Sequence, residues 1–559
     1  MPLFRRSSKA APASPRMPVS VPVPVSAGPE DARIKAIGAE FLDRARKEKG
    51  SFLSAAFWSD KLMEWSMKDQ QFKVQLFRFV DAFPVLRHDS DLVHAHLVDY
   101  LSQPGVKLPP GMDLGVSAGG LAKGLFTRTM SGQIEGMAKK FIAGEDAVGA
   151  LPVLEKLWKR SVAFSVDLLG EACVSDEEAD QYRDRYLDLV STLPGRVAPW
   201  PGNPLLESDH LGAVPRCNVS VKISALSGRV NPMDPDASIR DLMKRLEPIL
   251  ELARDKGVLI NFDMESFAFK DLTIDLFQRC CQRIAFEAGL AMQAYLKSGD
   301  ADARRIIDWS KATNRTVTIR LVKGAYWDFE TIRAEQQGWP SPVWNTKPQT
   351  DACFERMARA FVAATPAKPG EHGIKLALGS HNARSIAATL AAAEARGLPW
   401  SAVELQMLHG MGEQLKAAAV DMNLRVREYV PVGEMIPGMA YLVRRLLENT
   451  SNESWLKAGF FEHADIDALL ADPATRVVVG SNGNAGARDL CEIAPERHAL
   501  SPAIPDLGDG RAFQTEPLRD FSQADQRKRF AEAIARASVP RIANDRTPED
   551  AREAVRIAH

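Results

Sequence analysis

The stretch AVELQMLHGMGEQLKAAAVDMNLRVREYVPVG (402–433) contains two short apolar runs separated by a segment with helical spacing. The runs are AVELQMLHG (402–410) and RVREYVPVG (425–433), and each has the length of one buried β-strand. Short apolar runs joined by helices are typical of the βα units that form a parallel sheet. The stretch therefore predicts two parallel strands with a helical crossover between them.

Six runs of the same kind precede this stretch, with helix-like segments such as ASIRDLMKRLEPILELARDKG (237–257) between them. The six are AFSVDLLG (163–170), CNVSVKIS (217–224), VLINFDME (258–265), LAMQAY (290–295), TVTIRLVKG (316–324) and IKLALGSHN (374–382). An open doubly wound sheet would more often carry an early glycine-rich phosphate loop, which the sequence lacks. Eight runs with helical crossovers therefore predict an α/β fold with one (β/α)8 TIM-type barrel, assigned to residues 151–455.

The segments outside the predicted barrel differ from it in composition and in the spacing of apolar residues. Residues 1–30 are rich in proline and contain no acid before Glu30, which predicts a disordered tail. Across residues 31–150 apolar side chains recur every three or four positions, as in DLVHAHLVDYLS (91–102), and predict a helical arm. A ninth apolar run, RVVVGSNGN (476–484), follows the predicted barrel, and its pattern assigns it no position.

Composition excludes several classes of protein. The chain of 559 residues is 45% hydrophobic and has a formal net charge of −1, so it carries no global field favouring nucleic acid or an anionic membrane. Its six cysteines are scattered without a CxxC pair, which predicts neither a zinc site nor a disulfide framework and favours a reducing, cytoplasmic location. No apolar run is long enough to predict a transmembrane helix.

Polar residues end seven of the eight runs. In chain order they are Lys222, then Asp263 and Glu265, Gln293, Arg320 and Lys323, Ser380 with His381 and Asn382, Gln406 and His409, and Tyr429. One polar residue in a buried strand would be an ordinary core group with a hydrogen-bond partner. Seven strand ends of this kind predict a shared site at the carboxyl ends of the barrel strands, where barrel enzymes carry their chemistry.

The segment after the eighth run, YLVRRLLEN (441–449), predicts a helix that lies over this site as a lid. Tyr441, Arg444, Arg445 and Glu448 fall at i, i+3, i+4 and i+7 and so share one face. Two guanidinium groups side by side can grip a carboxylate and fix its orientation. A solvated face with an Arg444–Glu448 pair is the alternative for this helix taken alone.

The residues leave more than one chemistry open. There is no HExxH, Walker or GxSxG motif, and His381 and His409 are too isolated to predict a metal centre. The spacing of Asp263 and Glu265 permits a glycosidase pair. Among so many cations, however, we expect both carboxylates to be ionised, whereas a glycosidase needs one of them protonated. A cationic mouth with an aromatic residue instead favours a carboxylate substrate and an electron-rich cofactor.

Seven motifs, in order along residues 40–460, resemble the proline dehydrogenase domain of bacterial proline utilization A. They are VSVKISAL (219–226), NFDMES (261–266), RLVKGAYWD (320–328), SHNA (380–383), LQMLHGMGE (405–413), YVPVG (429–433) and YLVRRLLEN (441–449). The resemblance implies a distorted (β/α)8 barrel that binds FAD noncovalently and oxidises L-proline to Δ1-pyrroline-5-carboxylate, the first step of proline catabolism to glutamate. It also implies that electrons pass to quinone through transient peripheral contact with the inner face of the membrane.

The same resemblance assigns roles to individual residues. Lys222, Arg444 and Arg445 would bind the proline carboxylate, Asp263 would hold Lys222 or its neighbours in position, and Leu408, Tyr429 and Tyr441 would wall the pyrrolidine ring. Arg320 would lie near the reactive edge of the flavin. The FAD-binding residues would be Gln293, Arg320, Val322, Gly324, Ala325, Trp327, Thr346, Ser380, His381, Asn382, Gln406, Met407 and Glu448. The family often has threonine at the position of Ser380 and cysteine at that of Met407, and both departures are conservative.

Members of this family continue into an NAD-dependent aldehyde dehydrogenase, and some begin with a DNA-binding domain. We therefore expect residues 456–559 to be a linker and the start of a missing aldehyde dehydrogenase domain. Nothing in residues 31–150 resembles a compact DNA-binding module and no basic stripe is visible there, so we expect no contact with nucleic acid. Two rival functions stay open: a related barrel flavoenzyme acting on another cyclic imino acid, such as hydroxyproline or pipecolate, and a fragment that binds proline or flavin without catalysis.

Overall fold

The structure is a computed structural model. It describes residues 20–22, 29–47, 69–108, 120–434, 438, 441, 444–445, 465–479, 485–486, 518–538 and 547–558.

Eight parallel strands close into a barrel, which confirms the predicted fold class. The strands are β1 (Val162–Leu168), β2 (Asn218–Val221), β3 (Leu259–Phe262), β4 (Ala288–Gln293), β5 (Val317–Val322), β6 (Ile374–Gly379), β7 (Val403–Leu408) and β8 (Arg425–Val432). Each strand pairs with its neighbours in chain order, and β8 pairs with β1 from Val426↔Val162 to Val432↔Leu168. The eight apolar runs are thus the eight barrel strands, because strands covered on both faces are apolar nearly throughout.

Helices surround the barrel as crossovers between successive strands. They are Asp176–Val197, Pro204–Glu207, Pro235–Lys256, Lys270–Arg283, Gly299–Ala312, Trp327–Gln337, Lys347–Ala363, Ala383–Ala395 and Glu413–Asp421, with single 3-10 turns at Ile223–Ala225, Phe267–Phe269 and Trp400–Ala402. Helix Pro235–Lys256 shows how the sequence sets its ends. Asp234 caps the first turn by accepting from the Ala237 amide, and Gly257 ends the helix in the left-handed region at φ 64°.

The predicted arm divides between two hydrophobic cores. Its helices are Pro29–Lys47, Gln70–Leu86, Ser90–Leu101, Gly120–Phe141 and Ala147–Lys159. The first and the last pack into the core that surrounds the barrel. The other three enclose a separate apolar cluster that also contains Leu169, Met411 and Tyr441 from the barrel side. This second cluster brings the arm to the mouth of the barrel.

Short strands outside the barrel pair a segment near the N-terminus with one that follows the barrel. Ser20–Pro22 pairs antiparallel with Arg476–Val479, which also pairs with Ala485–Gly486. The prediction of a disordered tail is therefore wrong for residues 20–22, because the edge of Arg476–Val479 offers backbone groups with which they pair. The ninth apolar run, which the sequence left unplaced, supplies the central strand of this small sheet.

Helices Ala524–Arg536 and Pro548–Ala558 follow in the C-terminal segment, and neither has a buried residue. Two short helical turns precede them, Ile466–Leu469 and Pro473–Thr475. Within the described ranges, no helix has both the length and the apolar character that a membrane crossing requires. The five described cysteines, Cys173, Cys217, Cys280, Cys281 and Cys353, are buried and free.

Candidate active site

A cavity of about 470 Å³ opens at the carboxyl ends of the barrel strands. Most residues predicted for the site line it together: Lys222, Asp263, Arg320, Val322, Gly324, Ala325, Ser380, His381, Asn382, Gln406, Met407, Leu408, Tyr429, Tyr441, Arg444 and Arg445. The cavity has the volume of a typical small-molecule site. The rule that chemistry gathers at strand ends therefore located this cavity from the sequence.

Arg320 is the centre of the polar network beneath the cavity. Its side chain is buried and donates to Ser165 Oγ (2.9 Å), Ser220 Oγ (3.0 Å), Asp263 Oδ1 (2.7 Å) and Gln406 Oε1 (2.6 Å). These acceptors come from, or directly follow, four different strands. The guanidinium group is therefore fixed across the barrel interior in one orientation.

Asp263 joins Arg320 to Tyr429. Its Oδ1 accepts from Arg320, and its Oδ2 accepts from the Tyr429 hydroxyl over 2.6 Å. The Arg320 guanidinium carbon also lies 5.1 Å from the centroid of the Tyr429 ring. Burial, together with Asp167 and Asp263, raises the pKa of Tyr429 well above its ordinary value, so Tyr429 remains a neutral phenol.

Lys222 has a partner that the sequence did not single out. Its ammonium group bonds to Oδ1 of Asp167 on β1 and lies 3.9 Å from Oδ2 of Asp263. Burial alone would lower the pKa of Lys222, but Asp167 and Asp263 hold it above its ordinary value. Lys222 is therefore a permanent cation at the cavity wall. Asp263, predicted to hold Lys222 or its neighbours, bonds chiefly to those neighbours, Arg320 and Tyr429.

Gln406 is oriented from below by a buried carboxylate. Glu404 accepts from Gln406 Nε2 (2.7 Å), from Arg427 Nε (2.8 Å) and from Arg425 Nε (3.1 Å). Burial would raise the pKa of Glu404, but Arg427 and Arg425 lower it to about 2. Because Glu404 can only accept and Arg320 can only donate, the Gln406 amide has one possible orientation between them.

Arg444 and Arg445 lie at the cavity mouth with helical backbone, as does Tyr441. Arg445 is buried, and its guanidinium carbon lies 4.9 Å from the centroid of the Tyr441 ring. Arg444 lies 5.3 Å above the Tyr326 ring and donates to Glu171 Oε1 over 3.3 Å. Glu448, the predicted fourth member of this face, lies outside the described residues.

Glu265 departs from what the sequence led us to expect. Its carboxylate accepts from the Ser224 amide over 3.1 Å and from the Ser224 hydroxyl. Burial raises the pKa of Glu265 to about 7, although Ser224 and Lys222 oppose the shift. With this pKa Glu265 is about half protonated at neutral pH, so the expectation that both strand-end carboxylates are ionised holds for Glu265 only at higher pH, because its desolvation outweighs the surrounding cations.

A cationic pair lies on another wall of the cavity. Asp351, from helix Lys347–Ala363, bonds to both Lys323 and Lys347, the latter over 2.7 Å. Burial lowers the pKa of Lys323 to about 8, while Asp351 opposes this shift and Lys347 adds to it. The cluster keeps a net positive charge at neutral pH, which suits an anionic group such as a phosphate.

The turn after β6 supplies Ser380, His381 and Asn382. His381 Nε2 accepts from the Leu408 amide over 3.3 Å, which ties this turn to β7. Burial, with Lys416 and Arg445, lowers the pKa of His381 to about 3, so its imidazole is neutral. Asn382 caps helix Ala383–Ala395 through the Ser385 amide. Gly324 adopts φ +126°, and a Cβ there would lie 2.4 Å from the Tyr295 ring.

Three residues predicted to bind the cofactor do not line the cavity. Gln293 donates to the backbone oxygens of Met264 (3.3 Å) and Glu265 (3.1 Å). Trp327 donates to Trp344 O over 2.7 Å. Thr346 caps helix Lys347–Ala363 in a capping box with Gln349. Each side chain thus has a structural bond of its own.

The cavity wall also includes residues to which the sequence assigned no binding or catalytic role: Asp167, Met264, Glu265, Ala291, Lys323, Tyr326, Lys347, Gly379 and Met411. Asp167 had a visible signal, because it is the one charged residue in the run AFSVDLLG (163–170). Glu265 and Lys323 stood among the polar strand ends without being given a role. Tyr326 lies within the motif RLVKGAYWD (320–328) but was given no role, and Lys347 carries no local signal of its own.

The donor set suits an organic cofactor better than a metal ion. Gln406 and Asn382 offer amides, and Lys323 and Lys347 offer cations on another wall. Within the described part of the chain, no group of three or more His, Cys, Asp or Glu side chains is placed to hold a metal ion. The arrangement can bind a carboxylate beside Lys222, Arg444 and Arg445 and can stack a planar ring among neutral aromatic and apolar groups.

Comparison with known sequences gives two family matches. The proline dehydrogenase profile matches residues 150–458, and the profile of the proline utilization A N-terminal domain matches residues 31–141. Bifunctional protein PutA of Escherichia coli is 32% identical over 352 residues, which are 61% of this chain and 25% of that protein. Proline dehydrogenase 1 of Bacillus subtilis is 23% identical over 325 residues, 58% of this chain and 91% of that protein.

Comparison with solved structures agrees. The crystal structure of proline utilization A from Bdellovibrio bacteriovorus, inactivated by N-propargylglycine, superposes with a TM-score of 0.76 at 38% identity. The match covers 90% of this chain and 48% of that one. The matches therefore span 25% of the Escherichia coli protein and 48% of the Bdellovibrio chain. The predicted resemblance is confirmed.

Proposed function

Because the chain belongs to the proline dehydrogenase family, we propose that it oxidises L-proline to Δ1-pyrroline-5-carboxylate with noncovalently bound FAD. The observation that carries the proposal is the placement of three cations, Lys222, Arg444 and Arg445, around one cavity with the buried Arg320 network beneath it. Three fixed cations suit a ligand with a carboxylate, and the aromatic wall suits a small apolar ring.

The cavity fits a flavin in its chemistry. Arg320 and Gln406 present polar groups whose orientation is set by Asp263 and Glu404, and the Lys323–Lys347 pair offers charge for a pyrophosphate. Among the residues proposed to hold the cofactor, those with cavity contact are Arg320, Val322, Gly324, Ala325, Ser380, His381, Asn382, Gln406 and Met407. Gln293, Trp327 and Thr346 would act from behind the wall, and Glu448 completes the proposed set.

The residues of the chain would bind and orient the substrate. Lys222, Arg444 and Arg445 hold the carboxylate, so the ring is presented in one pose and the reaction becomes effectively unimolecular. Leu408, Tyr429 and Tyr441 wall the ring and exclude water. A bound flavin supplies the hydride acceptor. Arg320 would favour negative charge on a flavin held in the cavity, because the orientation of its guanidinium group is fixed in advance.

We extend the proposal to the electron acceptor and the domain limits. Electrons would leave for a quinone through peripheral membrane contact from the cytoplasmic side, and the catalytic unit would occupy residues 151–455 with 31–150 as its arm. The segment 456–559 would serve as a linker. A steady-state assay with a soluble quinone against oxygen alone tests the acceptor, and equal rates with both would contradict it.

The first test is a visible spectrum of the purified protein before and after anaerobic addition of L-proline. A flavin band that bleaches supports both the cofactor and the reaction. Cyclopentanecarboxylate, which has the ring and the carboxylate but no nitrogen, is the matched control and leaves the band unchanged. A flavin band that persists with L-proline but bleaches with hydroxyproline or pipecolate favours the rival substrate, and absence of flavin from folded protein favours a fragment without catalysis.

A second test uses the inhibitor known from the Bdellovibrio relative. We propose that N-propargylglycine also enters this cavity, because it shares an amino acid carboxylate with the substrate. Flavin reduction by L-proline is then lost progressively during preincubation with the inhibitor, and L-proline protects against the loss. Full activity after long preincubation contradicts this part of the proposal.

A further inference from the structure

The proposed oxidation requires a proton acceptor as well as a hydride acceptor. At neutral pH the ring nitrogen of proline is a protonated secondary amine and has no free electron pair. Hydride can leave the neighbouring carbon only when that nitrogen supplies an electron pair to the new C=N bond. A group in the cavity must therefore take a proton from nitrogen before or during hydride transfer.

We propose that Glu265 accepts this proton, an inference that rests on the proposed function. Glu265 lines the cavity in the same wall as Lys222, directly after β3. The Ser224 amide and hydroxyl both donate to it, and the Ser224 hydroxyl in turn accepts from the Ala172 amide over 2.9 Å. The carboxylate is thus held in one orientation, and two of its four lone-pair positions are unused by Ser224.

The other carboxylates that line the cavity are less suited to this role. Oδ1 of Asp263 accepts from the Arg320 guanidinium and Oδ2 accepts from the Tyr429 hydroxyl, so protonation of Asp263 would remove the negative charge that pairs with Arg320. Both donors to Glu265, in contrast, belong to the uncharged Ser224. Oδ1 of Asp167 bonds to Lys222, and its Oδ2 has almost no accessible surface. Asp167 is therefore already paired with the Lys222 cation, although it lines the cavity.

The basic and phenolic groups are also less suited. Lys222 remains an ammonium group because Asp167 and Asp263 hold its pKa above the ordinary value against the effect of burial. Tyr429 remains a phenol for the reasons given above. His381 is neutral, but burial and the nearby cations Lys416 and Arg445 make its protonated form unfavourable. Lys323 has a pKa of about 8, but it bonds to Asp351 in the wall proposed to face the cofactor phosphates. Glu265 combines a pKa of about 7 with a position beside Lys222, which is proposed to bind the substrate carboxylate.

Titratable groups from three elements face Glu265. Lys222, at the end of β2, favours the ionised form, whereas Glu171, after β1, disfavours it. Tyr326, after β5, interacts with Glu265 as well, and its own pKa is raised by burial, so it stays neutral. The two groups that hold the Glu265 side chain and its backbone, Ser224 and Gln293, carry no charge. Burial prevails among these influences and brings the pKa of Glu265 to about 7.

The step balances in atoms and electrons. One N–H bond of the ring ammonium breaks, the proton forms an O–H bond on Glu265, and the electron pair stays on nitrogen. That pair forms the C=N bond as hydride leaves the adjacent carbon for the bound flavin. The product leaves as the protonated cyclic imine or loses its second proton to water. Glu265 returns its proton to solvent before the next turnover.

Two variants test the inference through the pH dependence of kcat/KM for L-proline. The wild-type protein should lose activity as pH falls through about 7, the pKa of Glu265. Glu265→Gln should abolish this acid limb and lower kcat by about 10²-fold or more, the usual effect of removing a general base. Ser224→Ala removes a hydrogen bond that favours the ionised form, so the acid limb should move to higher pH. Because the Ser224 amide still donates to Glu265, the limb should persist rather than disappear as it does in Glu265→Gln. Glu265→Gln with an unchanged acid limb and a kcat within about twofold of wild type would overturn the proposal.

A readout independent of turnover separates titration from misfolding. In difference infrared spectra of the purified protein, the carbonyl band of a protonated carboxyl group should disappear with a midpoint near pH 7, the pKa of Glu265. The band should be absent in Glu265→Gln and shifted to higher pH in Ser224→Ala. Affinity for cyclopentanecarboxylate should be unchanged in Glu265→Gln, because that ligand has no nitrogen; a large loss would assign Glu265 to holding the carboxylate clamp instead. If wild-type protein does not bleach with L-proline, the proposed function itself fails; if it bleaches and Glu265→Gln behaves as wild type, only this inference fails.

Discussion

The Tyr429 hydroxyl donates a 2.6 Å hydrogen bond to Oδ2 of Asp263, while Oδ1 of the same carboxylate accepts from Arg320. This pairing ties a residue of β8 to one that follows β3, on another part of the barrel wall. One carboxylate therefore positions both the aromatic wall of the cavity and the cation beneath it. Substitutions at Tyr429 can separate the effect of losing the ring from the effect of losing the hydroxyl.

Tyr429→Ser should raise the relative kcat/KM for hydroxyproline over proline, because loss of the ring makes room for a substituent on the substrate. Tyr429→Phe is the matched control: it keeps the ring and removes only the hydroxyl, so the ratio should stay at the wild-type value. Steady-state kinetics with both substrates measure the ratio. Equal ratios in Tyr429→Ser and wild type would contradict the role of the ring.

Arg445→Met should raise KM for L-proline by about 10²-fold, since a charged hydrogen bond from a buried guanidinium is lost, a change of about 1.5–3 kcal/mol. Flavin content should be unchanged. Arg445→Lys keeps the charge but lacks the planar guanidinium group, so its KM for L-proline should lie between those of the wild type and Arg445→Met. An unaltered KM in Arg445→Met would show that the carboxylate is bound elsewhere.

Glu404→Gln should lower the free energy of unfolding by about 3–5 kcal/mol, because Arg425 and Arg427 would remain buried without their carboxylate. Glu394→Gln is the control: it breaks the exposed ion pair with Arg33 and should cost about 1 kcal/mol or less. Urea unfolding followed by circular dichroism measures both. Similar losses in the two variants would contradict the importance of burial.

Glu265→Gln should gain stability relative to wild type as pH rises. In the folded protein the pKa of Glu265 is raised from 4.5 to about 7, so the folded state binds the proton more tightly than the unfolded state between these values. Wild-type stability therefore falls by about 3 kcal/mol as pH rises from 4.5 to 7, and this loss is absent in the glutamine variant. The free energies of unfolding of the wild type and Glu265→Gln, measured at pH 5 and pH 8, test this prediction. If the difference in free energy between the two proteins is the same at both pH values, the prediction is contradicted.

The barrel was predictable because its strands are buried on both faces and so differ from the amphipathic helices between them. Lys222 and Asp263 directly follow β2 and β3, which is why strand ends located the cavity. The sequence predicted less about how the helical arm packs. Apolar spacing predicted its helices, but it could not distinguish helix Pro29–Lys47, which packs against the barrel, from helix Gln70–Leu86, which lies in the second cluster.

Partners far apart in the chain explain most of what the sequence did not yield. Asp167 bonds to Lys222, 55 residues later in the chain, and Glu171 bonds to Arg444, 273 residues later. Neither pairing can be recognised from the local sequence. Thr346 is a residue of the opposite kind, since its hydrogen bonds are to a neighbour in the sequence. It caps helix Lys347–Ala363, and this local role accounts for its position. The charge state of Glu265 could not be read either, since it depends on how completely the folded barrel excludes water from it.

The pairing of the first strand with the last has a consequence for how the protein is made. Contacts between Val162–Leu168 and Arg425–Val432 cannot form until the ribosome has released the final strand, and Tyr429 lies within this seam. A sheet formed from the first seven strands alone would have two free edges and no wall on one side of the cavity. The substrate pocket therefore arises in one late event during biosynthesis, and shorter translation products should have no proline-oxidising activity.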